Sequence, residues 1–362
     1  MITPLTEKLH LRGYDIPHWI VKDKKFYSKY HAIKECKRVG YEWPDFKVWN
    51  TPKNFTRPSV TFTDAVTTQC DIISDSYKKV RLFYSGGRDS HLILLSMLQN
   101  KSKLDEIAIY RRFPGVIDNH TNEFDQFDIL SKLKLILKEY KKIVPIKFYD
   151  LLPEHFAFYS KNLEEFYFPF TTLDFFSNNA HSIAEWYPHL QEDQFVNVFG
   201  HAIPHVDKNQ FFWIDGQFNM SNSDPYNLYF FLDQRNTDLA VSLAYTVKDV
   251  QNNADNKNWY SGSHRSFLPV KDNLNFPKTG TELDNKWTLP DVETNCYRWW
   301  LGKKEIFYMA NALKSDIGRK TYNNMISFYE KCEKNFGRYF EKGSIYNNWI
   351  GGVSEKHTLS DL

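Results

Sequence analysis

The residues best suited to chemistry are the consecutive Ser85-Gly86-Gly87-Arg88-Asp89-Ser90, which follow a short apolar run and precede a longer one. At a turn from a strand into a helix, backbone N–H groups and the positive end of the helix together form a site for an anion such as phosphate. Two adjacent glycines let a large anion approach the main chain closely, and the flanking serines can add hydroxyl donors. The segment therefore predicts a phosphate-binding loop.

Asp89 lies inside this loop, where a bare phosphate would repel its carboxylate. Two roles explain its presence: it caps the start of the helix, or it binds a magnesium ion that neutralises the anion. We favour the metal role because the surrounding loop is suited to an anion. The two common nucleotide fingerprints do not occur, since the sequence has neither GxG spacing nor a GxxxxGK[ST] string.

Apolar periodicity predicts the elements that position the loop. Residues 62–77 have apolar side chains at spacings of three and four, which predicts a helix, and residues 80–84 predict the strand that leads into the loop. A helix is predicted at 92–98, and further elements follow: strands at 104–110, 144–149, 194–199 and 211–214, with a helix at 122–141. This alternation predicts an α/β fold with an open parallel sheet.

Other segments are predicted on either side of this unit. Residues 19–21 predict a strand, followed by a turn at 23–25 and a helix near 29–38, which together make a small α+β subdomain. Residues 52–58 predict a linker, 226–250 and 304–332 predict helices, and 251–295 predict a long loop. We expect three regions: a basic subdomain at 1–58, a domain that carries the phosphate-binding loop at 59–224 and a mainly helical region at 225–362.

The pattern Ser-Gly-Gly-x-Asp-Ser after an apolar strand resembles the signature of the N-type ATP pyrophosphatases (the PP-loop superfamily). Within it the chain is most similar to the synthetase domain of asparagine synthetase, strongly over residues 80–100 and loosely over 62–200. The resemblance implies a sheet of the adenine-nucleotide α-hydrolase-like type and cleavage of ATP between its α and β phosphates. It also implies that a set of loop residues holds the pyrophosphate part of ATP, with Asp89 on Mg²⁺: Ser85, Gly86, Gly87, Asp89 and Ser90.

In that family a second glycine loop follows a later strand and carries acidic residues near the metal. The matching residues here begin with Gly200 and His201, which we expect to contact the nucleotide. The adjacent acidic residues are missing, and Asp207 is the candidate that would supply the metal ligand. His201 and His205 could be combined with Asp207 into a zinc site, but Pro204 interrupts the helix that this spacing needs, which disfavours zinc.

Cationic side chains could stabilise the charge that develops on the departing pyrophosphate. Arg88 lies in the loop itself, and Lys303 follows Trp299-Trp300 at the start of a predicted helix. Ordinary solvated helix charges are the alternative interpretation for Lys303. The candidate catalytic residues are therefore Asp89, Arg88 and Lys303.

The resemblance implies a ligase that adenylates a carboxylate or carbonyl oxygen for attack by a nitrogen nucleophile. Glutamine-dependent asparagine synthetases expose an N-terminal cysteine, whereas position 2 is Ile2 and 84 residues precede the loop. We therefore expect the nitrogen to come from ammonia, an amine substrate or a separate protein. The organisation also resembles asparagine-synthetase-like proteins of large bacteriophages. Two alternatives stay open: an enzyme that modifies a nucleobase in DNA or RNA, and a nucleotide-binding protein without catalysis.

Composition adds expectations about partners and setting. Residues 1–60 hold 12 Lys and Arg against 6 Asp and Glu and are rich in aromatics, which would suit nucleic acid, although aromatics more often form a subdomain's own core. No CxxC spacing occurs among the four cysteines, which argues against a zinc ribbon and favours a reduced, cytoplasmic setting. Signal-peptide and membrane-spanning patterns are absent from the sequence, so we expect no membrane association.

Overall fold

The computed structural model describes part of the chain. The described residues are 18–26, 29–42, 44–47, 52, 54–84, 88–112, 126–151, 164, 195–200, 205–206, 211–213, 227–253, 314–336 and 357–359. They contain an N-terminal three-stranded sheet, a central five-stranded sheet and a second three-stranded sheet.

The N-terminal unit has the predicted order of strand, turn and helix. It consists of β1 (His18–Val21), β2 (Lys24–Phe26), α1 (Lys29–Val39) and β3 (Asp45–Lys47), with both outer strands antiparallel to β1. Helix α1 ends because Gly40 has a φ of +70°, which lets the Tyr41 N–H donate to the Cys36 carbonyl at 2.9 Å. The predicted strand and helix are confirmed, but the turn predicted at 23–25 is at residues 22–23, because Lys24 and Lys25 pair with β1 as part of β2.

Helix α2 (Phe62–Ser76) leads into the central strand. It begins with a capping box, in which the Thr61 hydroxyl accepts from the Asp64 N–H and the Asp64 carboxylate accepts from the Thr61 N–H. The apolar face predicted from sequence is buried, with Cys70 and Ile73 fully so. Two residues after α2 the chain continues as β4 (Lys79–Phe83), and α3 (Arg88–Gln99) follows.

The central sheet is entirely parallel. After β4 the chain adds β5 (Glu106–Arg112), α4 (Gln126–Glu139), β6 (Ile146–Leu151), β7 (Phe195–Phe199) and later β10 (Asn227–Tyr229). The strand order is β10-β7-β4-β5-β6, so the chain first builds outward from β4 on one side and then returns to build on the other. The order is that of doubly wound sheets, and the open parallel α/β fold predicted from the sequence is confirmed. The predicted strands differ from the observed ones by one or two residues at their ends.

The helix predicted over residues 226–250 is wrong in its first part. Residues 227–229 form the edge strand β10, short 3-10 turns follow at Phe230–Leu232 and Gln234–Asn236, and α5 runs from Thr237 to Asn253. The reason is that residues 228–232 are apolar without interruption and all buried, so periodicity cannot distinguish a strand from a helix there. The sheet therefore includes a strand from beyond residue 225.

Two smaller predictions also need correction or completion. Helix α6 (Asp316–Phe336) begins after Lys314 and Ser315, which are not helical although the prediction covered 304–332; residues 304–313 of that prediction lie outside the described part of the chain. The Ser315 hydroxyl accepts from the Gly318 N–H at 3.0 Å and so caps the helix start. The strand predicted at 211–214 is found as β9 (Phe211–Trp213), antiparallel to β8 (His205–Val206) and to β11 (His357–Thr358).

The N-terminal unit packs against the C-terminal helix. The ring of Tyr30 on α1 lies 5.7 Å from the ring of Phe328 and 5.2 Å from that of Phe336, both on α6. The predicted linker is packed against α5 as well. The Tyr245 hydroxyl donates to the Phe55 carbonyl at 2.8 Å, and Arg57 forms an ion pair with Asp249. Trp19 and Tyr30 are buried, which makes these aromatics part of a core.

Candidate functional site

The predicted phosphate-binding loop joins the end of the central strand to the start of α3. β4 ends at Phe83, Tyr84 follows, and α3 begins at Arg88; residues 85–87 between them lie outside the described part of the chain. The first N–H groups of a helix have no acceptor within the helix and carry its positive end. An anion bound by the segment 85–90 would therefore meet the N-terminus of α3, and binding there stays a prediction.

Gly200 follows the strand that pairs with β4, the strand that leads into the loop. β4 and β7 are neighbours in register, with Leu82 opposite Val198, and Gly200 directly follows β7. The rings of Phe83 and Phe199, the last residues of the two strands, stack with their centroids 4.7 Å apart. The strand order reverses between β4 and β7, and ligands of open α/β sheets bind at the carboxyl end of such a reversal.

Two buried side chains flank the loop and were not identified from the sequence. The Tyr84 hydroxyl and His91 Nδ1 are 3.0 Å apart, and the two residues are 5% and 1% exposed. Burial lowers the pKa of His91 to about 4 and raises the pKa of Tyr84, so a neutral imidazole and a neutral hydroxyl share this hydrogen bond, and its direction depends on the imidazole tautomer. Ser90, a predicted nucleotide contact, is buried next to His91.

Comparisons with known proteins identify no family for the chain. No model of a protein family matches it, and no curated protein sequence matches it. Among solved structures it is similar to NMN synthetase from Francisella tularensis, over 77% of this chain and 97% of that chain, with a TM-score of 0.30 and 11% sequence identity. Nothing about the activity of this chain follows from a likeness at that level.

An aromatic row lies beneath the carboxyl end of the sheet. Phe199 contacts Tyr229 on β10 at 5.8 Å between ring centroids, and Phe83 contacts Tyr149 on β6 at 6.2 Å. Strand β5 lies between β4 and β6, and its residue opposite Phe83 is Ala108. The small alanine side chain leaves room for the rings of Phe83 and Tyr149 to approach each other. The row packs four strands together directly under the candidate site.

A buried polar network crosses the amino-terminal half of the same sheet. Arg81 on β4 forms an ion pair with Glu106 on β5 and donates to Asn197 Oδ1 on β7 at 3.1 Å. The Tyr149 hydroxyl and Lys147 Nζ, both on β6, also reach the Glu106 carboxylate, each at 2.6 Å. Burial raises the pKa of Glu106, but hydrogen bonds from Lys147 and Tyr149 and the Arg81 charge outweigh it and hold the pKa low.

The structure describes only some of the predicted site residues. Ser90 and Gly200 are both buried at the carboxyl edge, and Arg88 and Asp89 are placed in the first turn of α3 by their backbones alone. The remaining candidates lie outside the described residues: Ser85, Gly86, Gly87, His201, Asp207 and Lys303. His205 is in strand β8, and the described residues contain no group of three His, Cys, Asp or Glu that could hold a metal ion.

Two further predictions concern the cysteines and the membrane. Cys36, Cys70 and Cys332 are free and buried. Burial raises the pKa of the Cys70 thiol to about 11. In the described part of the chain, no helix has both the length and the apolar character needed to cross a membrane.

Proposed function

We propose that the chain binds magnesium ATP at the carboxyl edge of its central sheet and uses it to activate a substrate as an adenylate. One observation supports this most: the Ser-Gly-Gly-x-Asp-Ser segment connects the central strand to a helix N-terminus at the reversal of strand order, beside Gly200. That position combines helix N–H donors with glycines that admit an anion. The sequence and the fold therefore favour the same edge of the sheet.

The proposed reaction is the formation of an amide or related C–N bond. A carboxylate or carbonyl oxygen attacks the α-phosphorus of ATP, the bond to the β-phosphate oxygen breaks, and pyrophosphate leaves. A nitrogen nucleophile, either ammonia or an amine, then attacks the activated carbon, AMP leaves, and the nitrogen loses a proton. Most of the rate enhancement would come from positioning and charge neutralisation.

Each loop residue has a defined part in this proposal. Ser85, Gly86, Gly87 and Ser90 hold the β and γ phosphates through N–H and hydroxyl donors, and Gly200 and His201 contact the nucleotide from β7. Asp89, with Asp207 as a second candidate, would hold the magnesium ion, which neutralises the polyphosphate when it is bound. Arg88 and Lys303 would stabilise the departing pyrophosphate.

Exchange of labelled pyrophosphate into ATP, measured across a panel of carboxylic acids, tests the proposal. We expect exchange with at least one acid, and its loss in Asp89→Asn. Asp71→Asn is the matched control, because Asp71 is an exposed aspartate of α2. Failure to bind ATP would refute the proposal. ATP binding without exchange or AMP formation under any condition would favour a nucleotide-binding protein that has no catalytic activity.

A nucleobase in DNA or RNA is the second candidate substrate. Trp19 and Tyr30 are buried and so are not available to stack on bases, but Lys22, Lys25 and Lys34 are exposed and could contact phosphate. Binding of DNA or RNA that weakens steeply with salt would support this candidate. Replacing Lys22, Lys25 and Lys34 with glutamine should then reduce the salt dependence, whereas deleting the whole segment would uncover Phe328 and Phe336.

A further inference from the structure

A side-chain hydrogen bond connects the two ends of the candidate ATP loop. Tyr84 immediately precedes residues 85–90 and His91 immediately follows them, and the Tyr84 hydroxyl lies 3.0 Å from His91 Nδ1. Both partners are held by rigid elements. The Tyr84 N–H donates to the Ala108 carbonyl on β5 at 2.9 Å, and His91 is in α3, the helix that also carries the fully buried Ile93 and Leu94.

The hydrogen bond fixes the residues that flank the candidate ATP loop relative to each other. Only three residues, two of them glycine, connect Tyr84 to the first residue of α3. Glycine has the largest conformational freedom of any residue, so arranging this segment around an anion costs entropy. Fixing the helix start against the strand end reduces the number of arrangements in advance, which strengthens binding through preorganisation.

We propose that Tyr84 and His91 form a positioning pair that sets the α3 N-terminus against β4 for polyphosphate binding. The proposal rests on the proposed ATP function of the loop and adds residues that the loop motif does not contain. Neither residue needs to touch the nucleotide, because both are buried and act through the loop between them. The alternative is that the pair merely satisfies two polar groups in the core, as buried polar groups generally are.

Tyr84→Phe separates these two interpretations, since it removes only the hydroxyl. We expect the dissociation constants for magnesium ATP and for magnesium pyrophosphate to rise about five-fold, as loss of one neutral hydrogen bond suggests. AMP lacks the β and γ phosphates and should bind as it does to the wild type. Isothermal titration calorimetry with the full-length protein measures all three.

Tyr245→Phe is the matched control. Tyr245 is equally buried, and its hydroxyl also makes a hydrogen bond, to the Phe55 carbonyl, which is outside the segment 84–91. We expect this change to leave ATP and pyrophosphate binding unaltered. If it weakens them as much as Tyr84→Phe does, the effect is a general loss of stability and the positioning role is refuted.

Variants of His91 provide an independent test if Tyr84→Phe does not fold. His91→Leu removes the imidazole partner of the Tyr84 hydroxyl and should weaken the binding of ATP and pyrophosphate to the same extent as Tyr84→Phe, with no further loss in the double variant. His91→Asn retains an acceptor, Oδ1, near the position of Nδ1, and should restore most of the affinity. Equal affinity of wild type and His91→Leu would overturn the proposal.

The outcome also distinguishes this inference from the proposed function. A wild-type protein that binds pyrophosphate but not ATP would refute the ATP function, while the pair could still be judged by its effect on pyrophosphate. If Tyr84→Phe binds ATP as tightly as the wild type does, the positioning role of Tyr84 and His91 is refuted and the proposed ATP function is not. Binding of neither ligand by the wild type would refute both.

Discussion

Replacing Glu106 with glutamine should destabilise the protein strongly, although the two side chains have nearly the same size. The Glu106 side chain is 3% exposed and faces the guanidinium of Arg81, which is fully buried. The Tyr149 hydroxyl and Lys147 Nζ each donate to the same carboxylate at 2.6 Å. Glutamine removes the negative charge and leaves the positive charge of Arg81, which an arginine cannot release in a protein.

The magnitude follows from the burial of the pair. Removing one partner of a buried ion pair costs about 3 to 5 kcal/mol, because the other charge stays out of water without compensation. We take about 3 kcal/mol, the low end of that range, because a glutamine oxygen still accepts from Tyr149 and Arg81 still stacks on Phe195 at 4.3 Å. With an unfolding entropy of about 2.1 cal/mol/K per residue over the 362 residues, Tm should fall by roughly 4 °C.

Thermal unfolding followed by circular dichroism, with urea unfolding as a second measurement, checks this prediction. Glu35→Gln is the control, because Glu35 also accepts hydrogen bonds from two cations, Arg38 at 2.6 Å and Lys24 at 3.2 Å. Those cations are 63% and 65% exposed, so we expect little change in Tm. Equal Tm values for the Glu106 and Glu35 variants would show that burial of the charge does not determine its cost.

Three more predictions follow from buried groups. Burial raises the pKa of Asp233, but hydrogen bonds from Arg235 and Gln69 outweigh it and lower the pKa. The stabilisation from the ionised Asp233 carboxylate is therefore full above the unfolded pKa of about 3.9, and it is lost as pH falls through the lower pKa of the folded state. Tm should thus decline below about pH 4, and less so in Asp233→Asn than in the wild type. Tyr30→Ala should cost about 3 kcal/mol and speed hydrogen exchange in α6, because its ring packs on that helix; unchanged exchange would contradict this contact. Cys70, whose pKa is raised to about 11, should react with Ellman's reagent at pH 8 only after denaturation.

Most of the fold can be predicted because the central elements give periodic or uninterrupted apolar signals. The buried face of α2 shows helical spacing, and β4 and β7 are short apolar runs that end at glycine-containing segments. The strand β10 could not be predicted, since its apolar run continues without a break into buried 3-10 turns. Its assignment depends on pairing with β7, which is a tertiary contact.

The candidate site is predictable where a local motif defines it and unpredictable where distant residues meet. Residues 85–90 are recognisable because neighbours in sequence form the anion site. Tyr84 and His91 lie next to that motif, yet each resembles an ordinary core residue, a tyrosine ending a strand and a histidine in an apolar helix. Arg81 and Glu106 are 25 residues apart, and their pairing follows from the register of two strands.

The register of β4 connects the buried network with the loop. The side chains of Arg81 and Phe83 lie on one face of the sheet, where they contact Asn197 and Phe199. The side chains of Leu82 and Tyr84 lie on the other face, where Tyr84 contacts His91. A slip of one residue would separate Arg81 from Glu106 and Asn197 and would turn Tyr84 away from α3. The arrangement that pairs the buried charges is thus the same one that places the tyrosine beside the histidine.

Stability and ligand affinity should nevertheless respond to different substitutions. In Glu106→Gln the aromatic contacts of Phe83 with Phe199 and Tyr149 still fix the register at 20 °C, so ATP affinity should stay at the wild-type value while Tm falls. Tyr84→Phe retains the buried charges and should weaken ATP binding with a smaller loss of Tm. Calorimetric titration and thermal unfolding of both variants give four values. A parallel loss of affinity and Tm in the two variants would mean that the loop responds only to global stability.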